Sequence, residues 1–228
     1  MKQAKLNVYS IFASIDGEVN GYGQGARTVF VRLAGCNLSC KYPCDTPYAL
    51  NKITGTLMTI PQVVKEIDKY GLSKVTITGG EPLIQQQALR LLISKLKSHS
   101  AKRPYYVSIE TNGSIEWGYD LEFGIDADSF VVDYKLHSSG ETDNMLPIEY
   151  FCNNLADTDF VKFVILNKGD FNQAIQIQSL IRTSAKFAYS PVYGKLKPQT
   201  LLKWMEEEKV NGILNLQLHK ILNLKEDK

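Results

Sequence analysis

Three thiols crowd into one short stretch, Gly35-Cys36-Asn-Leu-Ser-Cys40-Lys-Tyr-Pro-Cys44-Asp45-Thr46, and the fourth cysteine, Cys152, stands apart. Three thiolates so close in the chain can fold around one metal centre. A structural zinc site asks for a fourth ligand, and Cys152, His99, His137 and His219 are all distant in sequence. A [4Fe–4S] cluster held by three cysteines keeps one iron open to a substrate or cofactor. The thiols alone leave both readings open, with plain reduced thiols as the bland alternative. Cys152 lies in an apolar stretch, Ile148-Glu-Tyr-Phe-Cys152, and reads as a small hydrophobe. Gly21, Gly23 and Gly25 are not followed by a clear helix start, so they read as a turn and not a phosphate cradle.

Residues with this chemistry need a frame. Short β-branched runs predict strands at 74–78, 105–109, 130–132, 160–165, 187–189 and 213–218. Between them Ile84, Ala88, Leu92 and Leu96 keep helical spacing, as do Phe171, Ala174, Ile175 and Leu180, and then Leu201, Trp204 and Met205. Thr59, Pro61 and Gln62 mark a helix start with an N-cap, a first-turn proline and a capping-box partner. Strands alternating with helices imply a parallel α/β sheet, with functional residues just past the strand ends. The cysteine stretch follows a further strand, Thr28-Val-Phe-Val-Arg-Leu-Ala34.

The chain has 228 residues and a net charge of +2. At roughly 150 residues per domain that is one domain or two small ones, and no linker separates two. The expectation is a single domain over 1–228. Near-neutral charge argues against electrostatic wrapping of nucleic acid. No apolar run reaches the ~18 residues that a membrane span needs. Lys2 and Lys5 precede an apolar stretch, Leu6–Ile15, but Asn7, Ser10, Asp16 and Glu18 interrupt and follow it. It reads as a first strand of a cytoplasmic protein rather than a secretion signal, and clustered thiols suit a reducing compartment. Glu206–Glu208 reads as a solvated helix face.

The cysteine loop is followed by Thr78-Gly-Gly-Glu-Pro-Leu83. This pairing resembles the radical S-adenosylmethionine superfamily. An ordered set along nearly the whole chain resembles one of its families, 7-carboxy-7-deazaguanine synthase. The set is Ile15-Asp16-Gly17-Glu18, Phe30-Val-Arg32-Leu-Ala-Gly-Cys36, Cys44-Asp45-Thr46, the Gly-Gly-Glu-Pro segment, Glu110-Thr-Asn-Gly113, Val131-Val-Asp133-Tyr-Lys135, Lys162-Phe-Val-Ile165 and Gln217-Leu-His219-Lys220. The resemblance implies an incomplete TIM-like barrel of about six parallel strands with few, partly reduced helices.

It also implies the chemistry: radical ring contraction of 6-carboxy-5,6,7,8-tetrahydropterin to 7-carboxy-7-deazaguanine, with ammonia lost. The implied cofactors are a [4Fe–4S] cluster on Cys36, Cys40 and Cys44, S-adenosylmethionine, and Mg²⁺ at Thr46. Ile15, Asp16, Gly17, Glu18, Arg32, Thr78, Gln217 and His219 correspond to the substrate-holding set, with Glu18, Arg32, Thr78 and His219 closest to catalysis. Glu18 suits the pterin's guanidine-like edge, and the planar fork of Arg32 suits its carboxylate. Gln217 and His219 are expected to alternate along the last strand and face one side. Pro43, Cys44, Asp45, Gly80, Glu81, Asp133, Tyr134, Lys135, Ser190, Pro191, Val192 and Tyr193 correspond to the S-adenosylmethionine set. Two glycines allow close backbone approach, and Glu81 suits an ammonium.

Two departures stand out. Both cysteine gaps hold three residues, where the superfamily usually has three and then two, Pro43 being the addition. Asp16 stands where the family more often has Gln. The resemblance further implies a homodimer and a flavodoxin- or ferredoxin-like electron donor. The rival readings are a glycyl-radical activase, which leaves Glu18, Arg32 and the Gln217–Lys220 segment unexplained, and a non-catalytic zinc-stabilised binding module.

Overall fold

The computed structural model describes residues 4–98, 104–118 and 124–224; Lys2 and His99 lie outside them. The chain opens with two antiparallel strands, β1 (Lys5–Ile15) and β2 (Arg27–Leu33). The cysteine loop follows, then the short β3 (Thr56–Thr59), which pairs antiparallel with the other edge of β1. Helix α1 (Ile60–Asp68) begins at the expected signal. Thr59 accepts from the Gln62 N–H, and the Gln62 side chain accepts in return from the Thr59 N–H. Such a box is worth about 1 kcal/mol.

From there the chain alternates. Strand β4 (Lys74–Gly79) leads into a 3₁₀ turn and α2 (Gln86–Ser98). Strands β5 (Tyr106–Thr111) and β6 (Ser129–Tyr134) follow, with no helix between them among the described residues. Helix α3 (Ile148–Asn153), β7 (Phe160–Ile165), α4 (Lys168–Leu180), β8 (Lys186–Pro191), α5 (Pro198–Glu207), β9 (Ile213–Leu214) and α6 (Leu218–Ile221) complete the order.

One nine-stranded sheet results, in the order β3-β1-β2-β4-β5-β6-β7-β8-β9. From β2 to β9 every neighbouring pair is parallel. That gives six full strands, as expected, and a two-residue seventh. The edges β3 and β9 are not paired to each other, so the barrel stays open.

The six full parallel strands are mostly buried on both faces, as parallel sheets require. Val75, Ile77, Val107, Ile109, Val132 and Phe163 point outward and join the helix residues Val63, Ile67, Leu89, Leu92 and Phe171 in the main core. The alternate residues point inward. There they include Thr28, Arg32, Thr76, Thr78, Ser108 and Lys162, all buried and all polar. Strand alternation thus sorts an apolar outer core from a polar interior. Apolar side chains also face inward: a small cluster of Val19, Val131, Phe160 and Ala188, and Phe12, Phe30 and Val164 on the cavity wall.

Two local expectations fail. The last strand ends at Leu214, and Gln217 and His219 fall at the start of α6 and within it. Leu216 and Leu218, which continue the apolar alternation, are half-buried but lie beyond the ladder. In α4, Phe171 and Ala174 are buried but Leu180 is exposed, because the helix ends there.

Candidate active site

A cavity opens where the parallel strands end, with about 1320 Å³ of empty space counting its open mouth. Its wall is built from strand ends: Arg32 of β2, Thr78 and Gly79 of β4, Glu110 of β5, Asp133 of β6, Lys162 of β7 and Ser190 of β8.

The cysteine loop closes one side. Gly35 and Cys36 donate their N–H groups to the carbonyls of Ala49 and Leu50, and Ser39 N–H donates to Glu141. Gly79 has φ +149°, and a Cβ on it would collide with the Leu33 backbone. A Cβ on Gly80 would collide with the Gly35 carbonyl. Hydrogen bonds cross this seam, Gly80 N–H to Leu33 O at 3.1 Å and Glu81 N–H to Gly35 O at 2.8 Å. The double glycine therefore lets one strand end press against the root of the cysteine loop.

Cys40 and Cys44 line the cavity. Cys36 sits just behind, its sulfur accepting from Leu38 N–H at 3.5 Å and from Asn112 Nδ2 at 3.8 Å. Burial pushes the Cys36 and Cys40 thiols up. Thr46 also lines the wall, its hydroxyl donating to the Gly79 carbonyl at 3.3 Å. Cys152 lies elsewhere, its sulfur against Leu180 O and Arg182 N–H at the end of α4.

A charged network crosses the interior. Lys162 Nζ meets Glu18 Oε2 at 2.5 Å and Asp133 at 3.1 Å, and Lys135 meets Asp133 at 2.8 Å. Asn215 and Gln217 also donate to Glu18. Burial alone would raise the Glu18 carboxyl, but the Lys162 ammonium outweighs it and holds Glu18 low. Burial would lower Lys162, yet Asp133 and Glu18 hold it well above its ordinary value. Glu110 moves the other way: burial first, then the Glu18 charge, push its carboxyl up. Thr78 Oγ1 donates to Glu110 Oε2 at 2.7 Å. Arg32 lies with its guanidinium 5.7 Å from the Phe12 ring and 5.6 Å from the Tyr48 ring.

Most residues singled out from the sequence meet here. Ile15, Gly17, Glu18, Arg32, Thr78, Gln217 and His219 line the cavity, as do Pro43, Asp45 and Gly80. Asp133, Lys135, Ser190, Pro191, Val192 and Tyr193 do so too. Gln217 and His219 share the site although no strand carries them, because α6 docks on the segment that follows β1: Leu218 N–H donates to Gly17 O.

Three side chains are corrected. Tyr134 points to the outer core, against Phe151 and Phe163, because strand alternation sends it opposite Asp133 and Lys135. Glu81 is fully buried and faces away from the cavity. Its carboxylate is filled by Leu83 N–H, Asn112 N–H and the Thr111 hydroxyl. Asp16 is 2% exposed and turned below the cavity, onto Lys74 and Thr76.

Lys162, Glu110 and Asn215 were not named as site residues from the sequence. Lys162 and Glu110 sit inside the singled-out segments, and their inward parity was the available signal. Asn215 gave none.

A family described as a 4Fe-4S single cluster domain matches residues 19–145, which include all three loop cysteines. A 7-carboxy-7-deazaguanine synthase from Clostridium acetobutylicum is 40% identical over 215 residues, covering 92% of this chain and 93% of that protein. The chain belongs to the 7-carboxy-7-deazaguanine synthase family. Another synthase, from Leptospira interrogans, is 35% identical over 240 residues and 97% of each chain. One from Methanospirillum hungatei is 36% identical over 219 residues, covering 96% of this chain and 86% of that protein. The crystal structure of QueE from Escherichia coli superimposes with a TM-score of 0.71 at 19% identity, over 93% of this chain and 94% of that one. The partial barrel is thus the fold of a solved structure.

The residues present fit a cluster. Three cysteines sit on one loop, two facing the cavity and the third receiving N–H donors, the kind of hydrogen bonds that tune cluster sulfurs.

Proposed function

We infer that this protein is a radical S-adenosylmethionine lyase that converts 6-carboxy-5,6,7,8-tetrahydropterin to 7-carboxy-7-deazaguanine, with ring contraction and loss of ammonia. Its place is in queuosine or deazapurine biosynthesis. One observation supports the residue assignment above the others: a single cavity joins the cysteine loop, the Gly79-Gly80 strand end and the Glu18–Arg32–His219 set.

When bound, the [4Fe–4S] cluster on Cys36, Cys40 and Cys44 and the S-adenosylmethionine beside it supply a hydrogen-abstracting radical. The chain's own residues do the rest. Arg32, braced between two rings, presents its fork to the pterin carboxylate. Glu18 accepts from the guanidine-like edge. Lys162 keeps Asp133 as a partner when the pterin takes Glu18, so no buried ammonium is stranded. Glu110, its carboxyl held high and Oε2 occupied by Thr78, is suited to hold a proton at Oε1 for the departing nitrogen. The backbone at Gly79 and Gly80, with Lys135 and Ser190, forms the cofactor side. Thr46 offers a hydroxyl to Mg²⁺, a hard cation that takes oxygen ligands and keeps several waters.

The same reading carries a flavodoxin- or ferredoxin-like donor, a homodimer, a cytoplasmic setting, and no direct role for nucleic acid or membrane. Among the described residues no helix is long and apolar enough to cross a membrane.

The test is anaerobic incubation with S-adenosylmethionine, reductant, Mg²⁺ and the carboxypterin, with the product read by mass. The expected product is 7-carboxy-7-deazaguanine with one ammonia per turnover. Colourless protein holding one zinc and giving no product would overturn the reading. Arg32→Ala should raise KM for the carboxypterin; lost cofactor binding with unchanged KM would move Arg32 to the other side of the site.

A further inference from the structure

The loop between β1 and β2 does more than turn the chain. It crosses the floor of the barrel, away from the strand ends. Gly21 N–H donates to Ser129 Oγ of β6 at 3.0 Å, and the Tyr22 ring stacks edge-on with Tyr106 of β5. Val19 N–H donates to Asn215 Oδ1 at 3.0 Å, just beyond β9. The loop thus spans the gap that the open sheet leaves, and its first residues, Gly17 and Glu18, reach up into the cavity.

At its start is a charged pair in an otherwise shielded place. Asp16 is 2% exposed and Lys74, the first residue of β4, is 1% exposed. Their side chains form an ion pair. Thr76 Oγ1 donates to both Asp16 oxygens, at 2.9 and 3.1 Å, and accepts from Lys74 Nζ at 3.2 Å. Thr28 Oγ1 lies 3.0 Å from Thr76 Oγ1, which links β2 to the same knot. The Tyr22 ring covers Lys74 Nζ at 5.7 Å. Neither Asp16 nor Lys74 lines the cavity, and the cavity carboxyl whose charge Lys74 feels is Glu110.

Burying two charges only for stability is a poor arrangement, since an apolar pair of similar volume serves as well. What such a pair supplies is a defined geometry at one point. Here that point is one residue before Gly17 and two before Glu18. A Cβ on Gly17 would collide with the His219 ring, so the height of the loop also sets the position of His219.

We propose that Lys74 is a positioning residue for the substrate side of the site: its ion pair with Asp16 pins the floor loop at the height where Gly17, Glu18 and His219 meet the carboxypterin. This rests on the functional reading above. Asp16 acts from beneath, and its side chain does not touch the substrate. The pair lies away from the cysteine loop, so cofactor binding is independent of it.

The test compares Asp16→Asn, Lys74→Met and the double variant with the wild type, all cluster-loaded. Each single variant strands a buried charge and lowers Tm. The double variant removes both charges and recovers most of the wild-type Tm. Its KM for the carboxypterin stays at least ten-fold raised, with kcat within about three-fold and both S-adenosylmethionine affinity and iron content unchanged. A purely structural pair would instead let KM return with Tm, and that result overturns the proposal. If the double variant does not fold, Asp16→Asn, which is isosteric, decides by the same split between KM and cofactor affinity. A wild type that fails to convert the carboxypterin overturns the functional reading itself. A wild type that turns over, beside a double variant of normal KM, overturns only the positioning role.

Discussion

At the scale of single residues, the site sets two carboxyls apart by what surrounds each of them. Glu18 and Glu110 are both buried carboxyls facing one cavity, yet they shift in opposite directions. Burial raises both, but the Lys162 ammonium touches Glu18 and outweighs its burial, whereas at Glu110 burial and then the Glu18 charge outweigh the pull of Lys162. We propose that two carboxyls pushed apart in this way divide the labour of accepting and donating. Glu110→Gln keeps the Thr78 contact and removes the proton donor. It is expected to lower kcat by about 10²–10³-fold with KM little changed, in single-turnover assays with the carboxypterin. In the wild type, activity that depends on protonated Glu110 declines as pH rises through its raised value, and the variant should lose that limb. The cysteines are the second residue-scale test. Replacing Cys36, Cys40 or Cys44 by Ala should remove colour, iron and turnover together, while Cys152→Ala, whose sulfur lies at the end of α4, should keep all three. Loss of iron from the Cys152 variant would mean a fourth protein ligand.

At the scale of elements, what matters is how the strand ends are held against the loops. The Gly79-Gly80 segment was legible as a place of close approach, though not for its whole reason. A ligand was the expected neighbour. The structure adds the chain itself, with Leu33 and Gly35 where a Cβ would stand. Gly80→Ala must therefore push the cysteine loop off β4 before it affects any ligand. The expected outcome is protein of near-normal helix and strand content by circular dichroism, with iron loading reduced several-fold. Normal loading in that variant would show that the seam is not tight. The helix and strand assignments were readable because period and capping are local: Thr59, Pro61 and Gln62 announce α1 without help from the rest of the chain. The end of β9 was not readable. Ile213 to Leu218 alternates like a strand, but β9 stops at Leu214, and the chain turns so that α6 can dock on Gly17. That choice depends on a partner some two hundred residues earlier.

At the scale of the whole molecule, one sheet runs through all the described segments, and the main core follows it along its length from Leu6 to Met205. We propose that the chain unfolds as one domain. Thermal unfolding of the cluster-loaded protein by calorimetry and by circular dichroism should then give one coincident transition. Two separated transitions would mark a second folding unit. The open edges make the floor loop and α6 the pieces that complete the barrel, so their loss should affect substrate binding before it affects the sheet.

The sequence by itself determined most of the elements and most of the cavity wall, and it marked the three loop cysteines as the candidate cluster ligands. Local periodicity fixes strands and helices, and strand alternation tells which residues face inward once a parallel sheet is granted. It also named the family through motifs whose order is set along the chain. Only the tertiary structure decided what those side chains meet. Asp16, Glu81 and Tyr134 stand within site motifs, yet each turns to a partner that the chain brings from elsewhere: Lys74, Asn112 and Phe151. Lys162 gains its role because β7 faces Glu18 across the interior. Such partners are distant in sequence, and their pairing follows from the closing of the sheet, which no local pattern records.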